Sequence, residues 1–118
     1  MGLRPNQASF EPPLVDSPAL NEIVERLIRA YGPERIYLFG SVARGDAGPD
    51  SDYDLLIVVP DDAPPERRRS RLAYEALWGT GTAADVIVLT ASQFESRRHL
   101  AASLPATVLR EGKLLHAA

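Results

Sequence analysis

The 118-residue chain contains no cysteine. That removes a disulfide framework, a thiolate zinc site and a cysteine nucleophile, and it fits a reducing compartment. An excess of positive charge is missing too. Thirteen Lys and Arg stand against sixteen Asp and Glu, for a formal charge of -3 and a pI near 5.3. No global field therefore draws the chain to nucleic acid or an anionic membrane, and direct nucleic-acid binding is not expected. Long apolar runs are also absent: Leu55–Val59 is strand-sized, far short of the roughly 20 residues that span a bilayer. The N-terminus has no signal-peptide core, and no internal repeat or low-complexity segment is found. These absences describe a soluble protein expected in the cytoplasm.

What is present suffices for one core. At 45% hydrophobic and 25% charged residues the composition is that of an ordinary globular domain, and a chain this long buries roughly two-thirds of its unfolded surface. Residues 1–16, with Pro5, Pro12 and Pro13, show no periodicity and are expected to form a flexible arm; residues 17–118 are expected to form the domain. Leu20, Ile23, Val24, Leu27, Ile28 and Tyr31 follow helical spacing, with Ser17 as cap, Pro18 in the first turn and Gly32-Pro33 as the stop. Strands are expected over about Arg35–Phe39, Tyr53–Val59 and Ala84–Thr90. One helix is expected over Pro65–Trp78, with Leu72, Ala73, Ala76 and Leu77 on its apolar face. Two more are expected over Ala91–Arg98 and Ser103–Glu111, and Leu114–His116 is expected to add an edge strand. The fold class is therefore α/β (α+β), a small mixed sheet flanked by helices.

The stretch GSVARGDAGPDSDYD, residues 40–54, hangs between two of these strands. Gly40-x-x-x-x-Gly45 begins like a P-loop, but Asp46-Ala47 stands where Lys-Ser/Thr is required. Asp50-x-Asp52-x-Asp54 begins like a calcium loop, but Leu55 occupies the glycine position, Asp61 replaces the bidentate glutamate, and the next element is a strand. Taken as strand residues, Asp52 and Asp54 project to the same side, close enough to bridge one or two hard cations, for which magnesium is suited. Gly40-Ser41 lies at the end of the preceding strand, where a glycine lets the backbone approach an anion closely. Each piece alone also fits a plain helix cap or a solvated acidic loop; the combination, with ten residues between Ser41 and Asp52, is much rarer.

Gly40-Ser41, ten residues, then Asp52-Tyr53-Asp54 resembles the signature of the nucleotidyltransferase superfamily related to DNA polymerase beta. The longer string GSVARGDAGPDSDYDLLIVV is similar to its minimal nucleotidyltransferase (MNT) members. The resemblance runs from Ile36 through Asp85 and on toward the C-terminus, and it implies the nucleotidyltransferase fold. It also implies a third carboxylate on a later strand, a position matched by Asp85 in ADVIVLT. By the same resemblance, Asp52, Asp54 and Asp85 would be catalytic residues and ligands of two Mg2+ ions, with ATP as the nucleoside triphosphate held at Gly40 and Ser41. Arg44, in the polar loop, is a further nucleotide-binding candidate, although a solvated arginine is the better-fitting reading of that position.

Larger relatives carry an additional acceptor domain for which this chain is expected to have no room. Small MNT proteins are commonly antitoxins paired in hetero-oligomers with a HEPN-type ribonuclease toxin, and in that family the transferase adenylylates a tyrosine of the toxin. The resemblance thus implies an antitoxin acting by AMP transfer. Alternatives are a non-catalytic toxin-binding antitoxin, and nucleotidyl transfer to a small molecule or RNA with a partner subunit. Among the remaining candidates, Arg67, Arg68, Arg69 and Arg71 are expected on a solvated face, Trp78 and Phe94 in the core, and His99 and His116 away from any metal.

Overall fold

The computed structural model describes residues 17–46 and 52–118. The arm expected over residues 1–16 lies outside them, as does Asp50. Helix α1, Pro18–Tyr31, starts where the Ser17 hydroxyl accepts the Leu20 N–H at 3.2 Å and stops at Gly32, which takes the left-handed conformation at φ +56 and donates to the Ile28 carbonyl. Its apolar face, Leu20, Ile23, Leu27 and Tyr31, is buried. The rest of the chain runs β1 Arg35–Phe39, α2 Gly40–Arg44, β2 Tyr53–Val59, a 3-10 turn Pro65–Arg68, α3 Arg71–Ala76, β3 Ala84–Thr90, α4 Ala91–Arg97, α5 Leu104–Glu111 and β4 Lys113–Ala117.

The strands form one mixed sheet in the order β3-β2-β1-β4. β1 pairs antiparallel with both β2 and β4, while β2 and β3 run parallel. Leu55 to Val59 are buried without interruption, because helices cover the strand on both sides, and this is why the run does not alternate. Leu55, Ile57 and Val59 join Ile36 and Leu38 under α1 and α3. Leu56 and Val58 join Tyr37, Phe94 and Val108 under α4 and α5. Thr90 caps α4 in a reciprocal pair with Gln93, and Ser103 caps α5, which places Pro105 harmlessly in its first turn.

Two expectations need correction. The segment expected to form one helix over Pro65–Trp78 is two short pieces, because Arg69 is extended at φ -118, ψ 145. The break turns the Arg69 carbonyl toward the buried Tyr31 hydroxyl, which donates to it. A core phenol thus finds its acceptor at the cost of helix continuity. Trp78, expected in the core, is 85% exposed; α3 ends at Ala76, and Ala73 and Leu77 fill the inward face instead. Phe94 is fully buried, as expected.

Candidate active site

The site lies where β1 ends and β2 and β3 begin. Phe39, the last residue of β1, pairs with Asp54, so the next residue, Gly40, is delivered beside that carboxylate. Gly40 has φ +76, and a Cβ there would lie 2.2 Å from Asp54 Oδ2. Only glycine meets both conditions without strain. Ser41 follows in the first turn of α2, half-buried, where backbone N–H groups have no partner within the helix. Ala43 seats the helix in the core, and Gly45, at φ +82, closes it.

On the other side of Asp54 stands Asp85. The parallel register pairs them directly, and partners across a ladder share a face. Asp52 precedes β2 by one residue and is exposed; Asp54 is half-buried and Asp85 exposed. Burial, followed by the charges of Asp85 and Asp52, raises the Asp54 carboxyl above the usual carboxylate range, and Arg44 opposes this. The three expected aspartates are therefore electrostatically in touch. Among the described residues, no group of three acidic or histidine side chains is gathered tightly enough to hold a metal ion alone.

Tyr53, between the two aspartates, turns the opposite way. Its hydroxyl shares a hydrogen bond of 3.1 Å with Ser17 Oγ, tying the start of β2 to the cap of α1. Arg44 lies at the margin of the site, exposed, with Nε 3.2 Å from Asp46 and a terminal nitrogen 3.7 Å from Glu111. His116 lies on β4, which the sheet order separates from β2 and β3 by β1, and His99 lies between α4 and α5.

Sequence reasoning missed Ile87. It follows Asp85 by two places on β3 and so shares its face. It pairs with Leu56, which is fully buried, yet is itself 41% exposed. The signal was available in the alternation of ADVIVLT, which puts Asp85 and Ile87 on one side; its exposure was not, because that depends on how far α4 and α5 reach across the sheet.

Residues 20–115 match the family model for the nucleotidyltransferase domain. The chain belongs to that family. As a nucleotidyltransferase it has structural neighbours of similar fold. One is a candidate nucleotidyltransferase from Sulfolobus solfataricus, 24% identical, with a TM-score of 0.56 over 84% of this chain and 78% of that one. Another is a toxin-antitoxin complex solved with AMP-PNP, 26% identical, with a TM-score of 0.55 over 83% and 73%. A third is a tyrosine-to-alanine variant of the toxin-antitoxin complex MntA-HpeT, 25% identical, with a TM-score of 0.54 over 84% and 72%. Among curated proteins none matches the nucleotidyltransferase chain.

Proposed function

We propose that this nucleotidyltransferase moves AMP from ATP to a tyrosine hydroxyl of a HEPN-type toxin, and that this transfer makes it an antitoxin. The observation that carries the reading is the placing of Asp54 opposite Asp85, with Gly40 pressed against the Asp54 carboxylate. The neighbour crystallised as a toxin-antitoxin complex with AMP-PNP, at 26% identity, supports both the nucleotide and the kind of partner. The domain spans residues 17–118 and works in the cytoplasm as part of a hetero-oligomer. No helix among the described residues is long and apolar enough to cross a membrane.

The donor set fits magnesium. All three ligands are carboxylate oxygens, and their mutual repulsion at Asp54 is the condition that bound cations relieve. Magnesium is commonly held by one or two carboxylates together with substrate phosphates and water, so a site short of a complete protein cage suits it. Asp52 and Asp54 would hold two Mg2+ ions and Asp85 would share one of them. Bound there, magnesium supplies charge neutralisation at the triphosphate and makes a coordinated hydroxyl more acidic.

The chain's own groups do the rest. Backbone N–H groups at Gly40 and Ser41, with the Ser41 hydroxyl, receive the phosphates, and Arg44 can leave its exposed partners Asp46 and Glu111 to meet them. Asp85 accepts the proton of the acceptor hydroxyl. The hydroxyl oxygen bonds to the α-phosphorus, the bond from that phosphorus to the α,β-bridging oxygen breaks, and pyrophosphate leaves with the electron pair. Ile87, exposed beside Asp85 on the same face, gives a phenol ring an apolar rest with its oxygen toward the carboxylate.

The test is to incubate the chain with ATP, Mg2+ and the HEPN-type protein of the neighbouring gene, and to weigh that protein. A gain of whole AMP units on tyrosine, lost with EDTA and with Asp54→Asn, is expected. No gain in mass would refute the transfer, and continued neutralisation by a chain lacking all three aspartates would show that steric binding is the means of inhibition.

A further inference from the structure

The first residue of β2 is paired to one neighbouring strand only. β1 makes its last pairing with β2 at Phe39 and Asp54, so Tyr53 has no partner on that side. Toward β3 it pairs with Ala84, and its N–H reaches the Ala83 carbonyl at 3.3 Å, longer than the usual value of about 2.9–3.0 Å. Asp52 lies one residue further out, beyond the ladder. A strand end held by so little opens readily. Yet Asp52 and Asp54 flank Tyr53 directly, and any swing of that residue carries both carboxylates with it.

A second fixing point makes up for the missing pair. The Tyr53 side chain leaves the face that carries Asp54 and packs, half-buried, against the cluster under α1. There its hydroxyl meets Ser17 Oγ at 3.1 Å, from a residue 36 positions away in the chain. Ser17 is itself held: its Oγ also accepts the Leu20 N–H at 3.2 Å as the cap of α1, and that helix is seated by Leu20, Ile23 and Leu27, all buried. One hydroxyl can serve both bonds, since it offers two acceptor sites and a donor. The strand end is thus tied to a helix packed into the core. A phenylalanine would fill the same space; the phenol oxygen makes the tie.

We infer that Tyr53, acting through Ser17, is a positioning residue for the metal site: it keeps Asp52 and Asp54 in the arrangement that receives a Mg2+-bound triphosphate. This rests on the reading that those aspartates carry Mg2+. A site that is competent only part of the time loses apparent affinity in proportion, and one hydrogen bond of ordinary strength governs a change of roughly 3- to 10-fold. The test is calorimetry of the full chain with the preformed Mg2+ complex of a non-hydrolysable ATP analogue. Tyr53→Phe and Ser17→Gly should each weaken binding by that factor, glycine being a cap that costs a helix little. The double variant should bind no more weakly than either single one, because both remove the same bond. Ser17→Thr, which keeps a hydroxyl, should bind as the wild type does. Ser103→Ala, which removes the corresponding cap of α5, should lower the melting temperature and leave the affinity unchanged. Amide exchange in Tyr53→Phe should quicken at position 53 and stay slow at Leu56 and Val58. In the transfer assay KM for the Mg2+–ATP complex should rise while kcat at saturation is held.

The possible failures are distinct. Wild-type affinity in Tyr53→Phe and Ser17→Gly, whatever their melting temperatures, overturns the inference and leaves the transfer reading standing, because the bond then serves the fold alone. A double variant that loses the product of the two single factors gives the residues separate roles and overturns the link between them. Weakened binding in both single variants, with no AMP added to the HEPN-type protein by the wild type, upholds the positioning role and defeats the transfer reading. Equal affinity of wild type and Asp54→Asn for the Mg2+ complex, or no binding by the wild type, overturns both.

Discussion

Gly40 stands so close to the Asp54 carboxylate that a side chain at position 40 would collide with it: an added Cβ lies 2.2 Å from Oδ2 and 3.1 Å from Cγ. Gly40→Ala therefore meets two penalties, a positive φ and a displaced carboxylate. A misplacement of about 1 Å in a reacting group costs on the order of 100-fold in rate. Gly40→Ala should lose at least that much kcat/KM while keeping its circular dichroism spectrum, and wild-type kinetics would remove Gly40 from the site.

Asp54→Asn should make the free protein more stable and the enzyme inactive. Burial first, then Asp85 and Asp52, raises the folded-state pKa of Asp54. The folded chain therefore holds this proton more tightly than the unfolded one. The associated stability is present at low pH and is lost as pH rises from the unfolded value near 3.8 through the raised one. Melting curves of wild type and variant should coincide near pH 3 and separate above pH 6, with Asp54→Asn the higher. Added Mg2+ and a non-hydrolysable ATP analogue should reverse the order, since a ligand at 100 times its Kd stabilises by about 2.7 kcal/mol.

Asp61 has the opposite sign. It accepts from the Ser92 hydroxyl and from the Ser92 N–H at 2.8 Å, and these two bonds, the hydroxyl first, hold its carboxyl below the usual range. Its contribution is present above the unfolded pKa of about 4 and is lost as pH falls through the lower folded value. Asp61→Ala should lower the melting temperature at pH 7, and the gap to wild type should close as the pH approaches 2. A gap that persists there would assign the effect to something other than ionisation.

Two aromatic truncations should give contrasting results. Phe94 is fully buried, stacked on Tyr37 at 5.7 Å between centroids, with the Arg35 guanidinium 4.5 Å from its ring centre. Phe94→Ala should cost about 3–5 kcal/mol in urea unfolding. Trp78→Ala should change stability by less than about 0.5 kcal/mol, as exposed positions do. A large loss at Trp78 would mean that the side chain supports the fold.

The sequence disclosed the parts of the fold whose signals are local. Ser17, Pro18 and Gly32 bound α1 as their chemistry requires, and the first three strands fall on the apolar runs that announce them. The strand parity of Asp52 and Asp54 was also readable, as was the resemblance that pointed to Asp85. What could not be read depends on distant partners. The break at Arg69 answers to the Tyr31 hydroxyl on another helix, and the outward turn of Trp78 follows from Leu77 taking the inward place. The contact of Gly40 with Asp54 needs the β1–β2 register, and Tyr53 finds Ser17 only once α1 has packed. The exposure of Ile87 is likewise set by how far α4 and α5 extend.

The strand order has a consequence for the chain as it emerges from the ribosome. β1 and β2 are joined through residues 40–52 and pair antiparallel, whereas β2 and β3 pair only after the crossover through residues 60–83 has closed. Longer closures and parallel pairings form later. The turn at Gly40 and Asp54 thus come together with the first hairpin, and Asp85 joins them only when the crossover is complete. A nascent or partly unfolded chain lacks the Asp54–Asp85 pairing, so under the proposed mechanism activity is reserved for molecules that have finished folding.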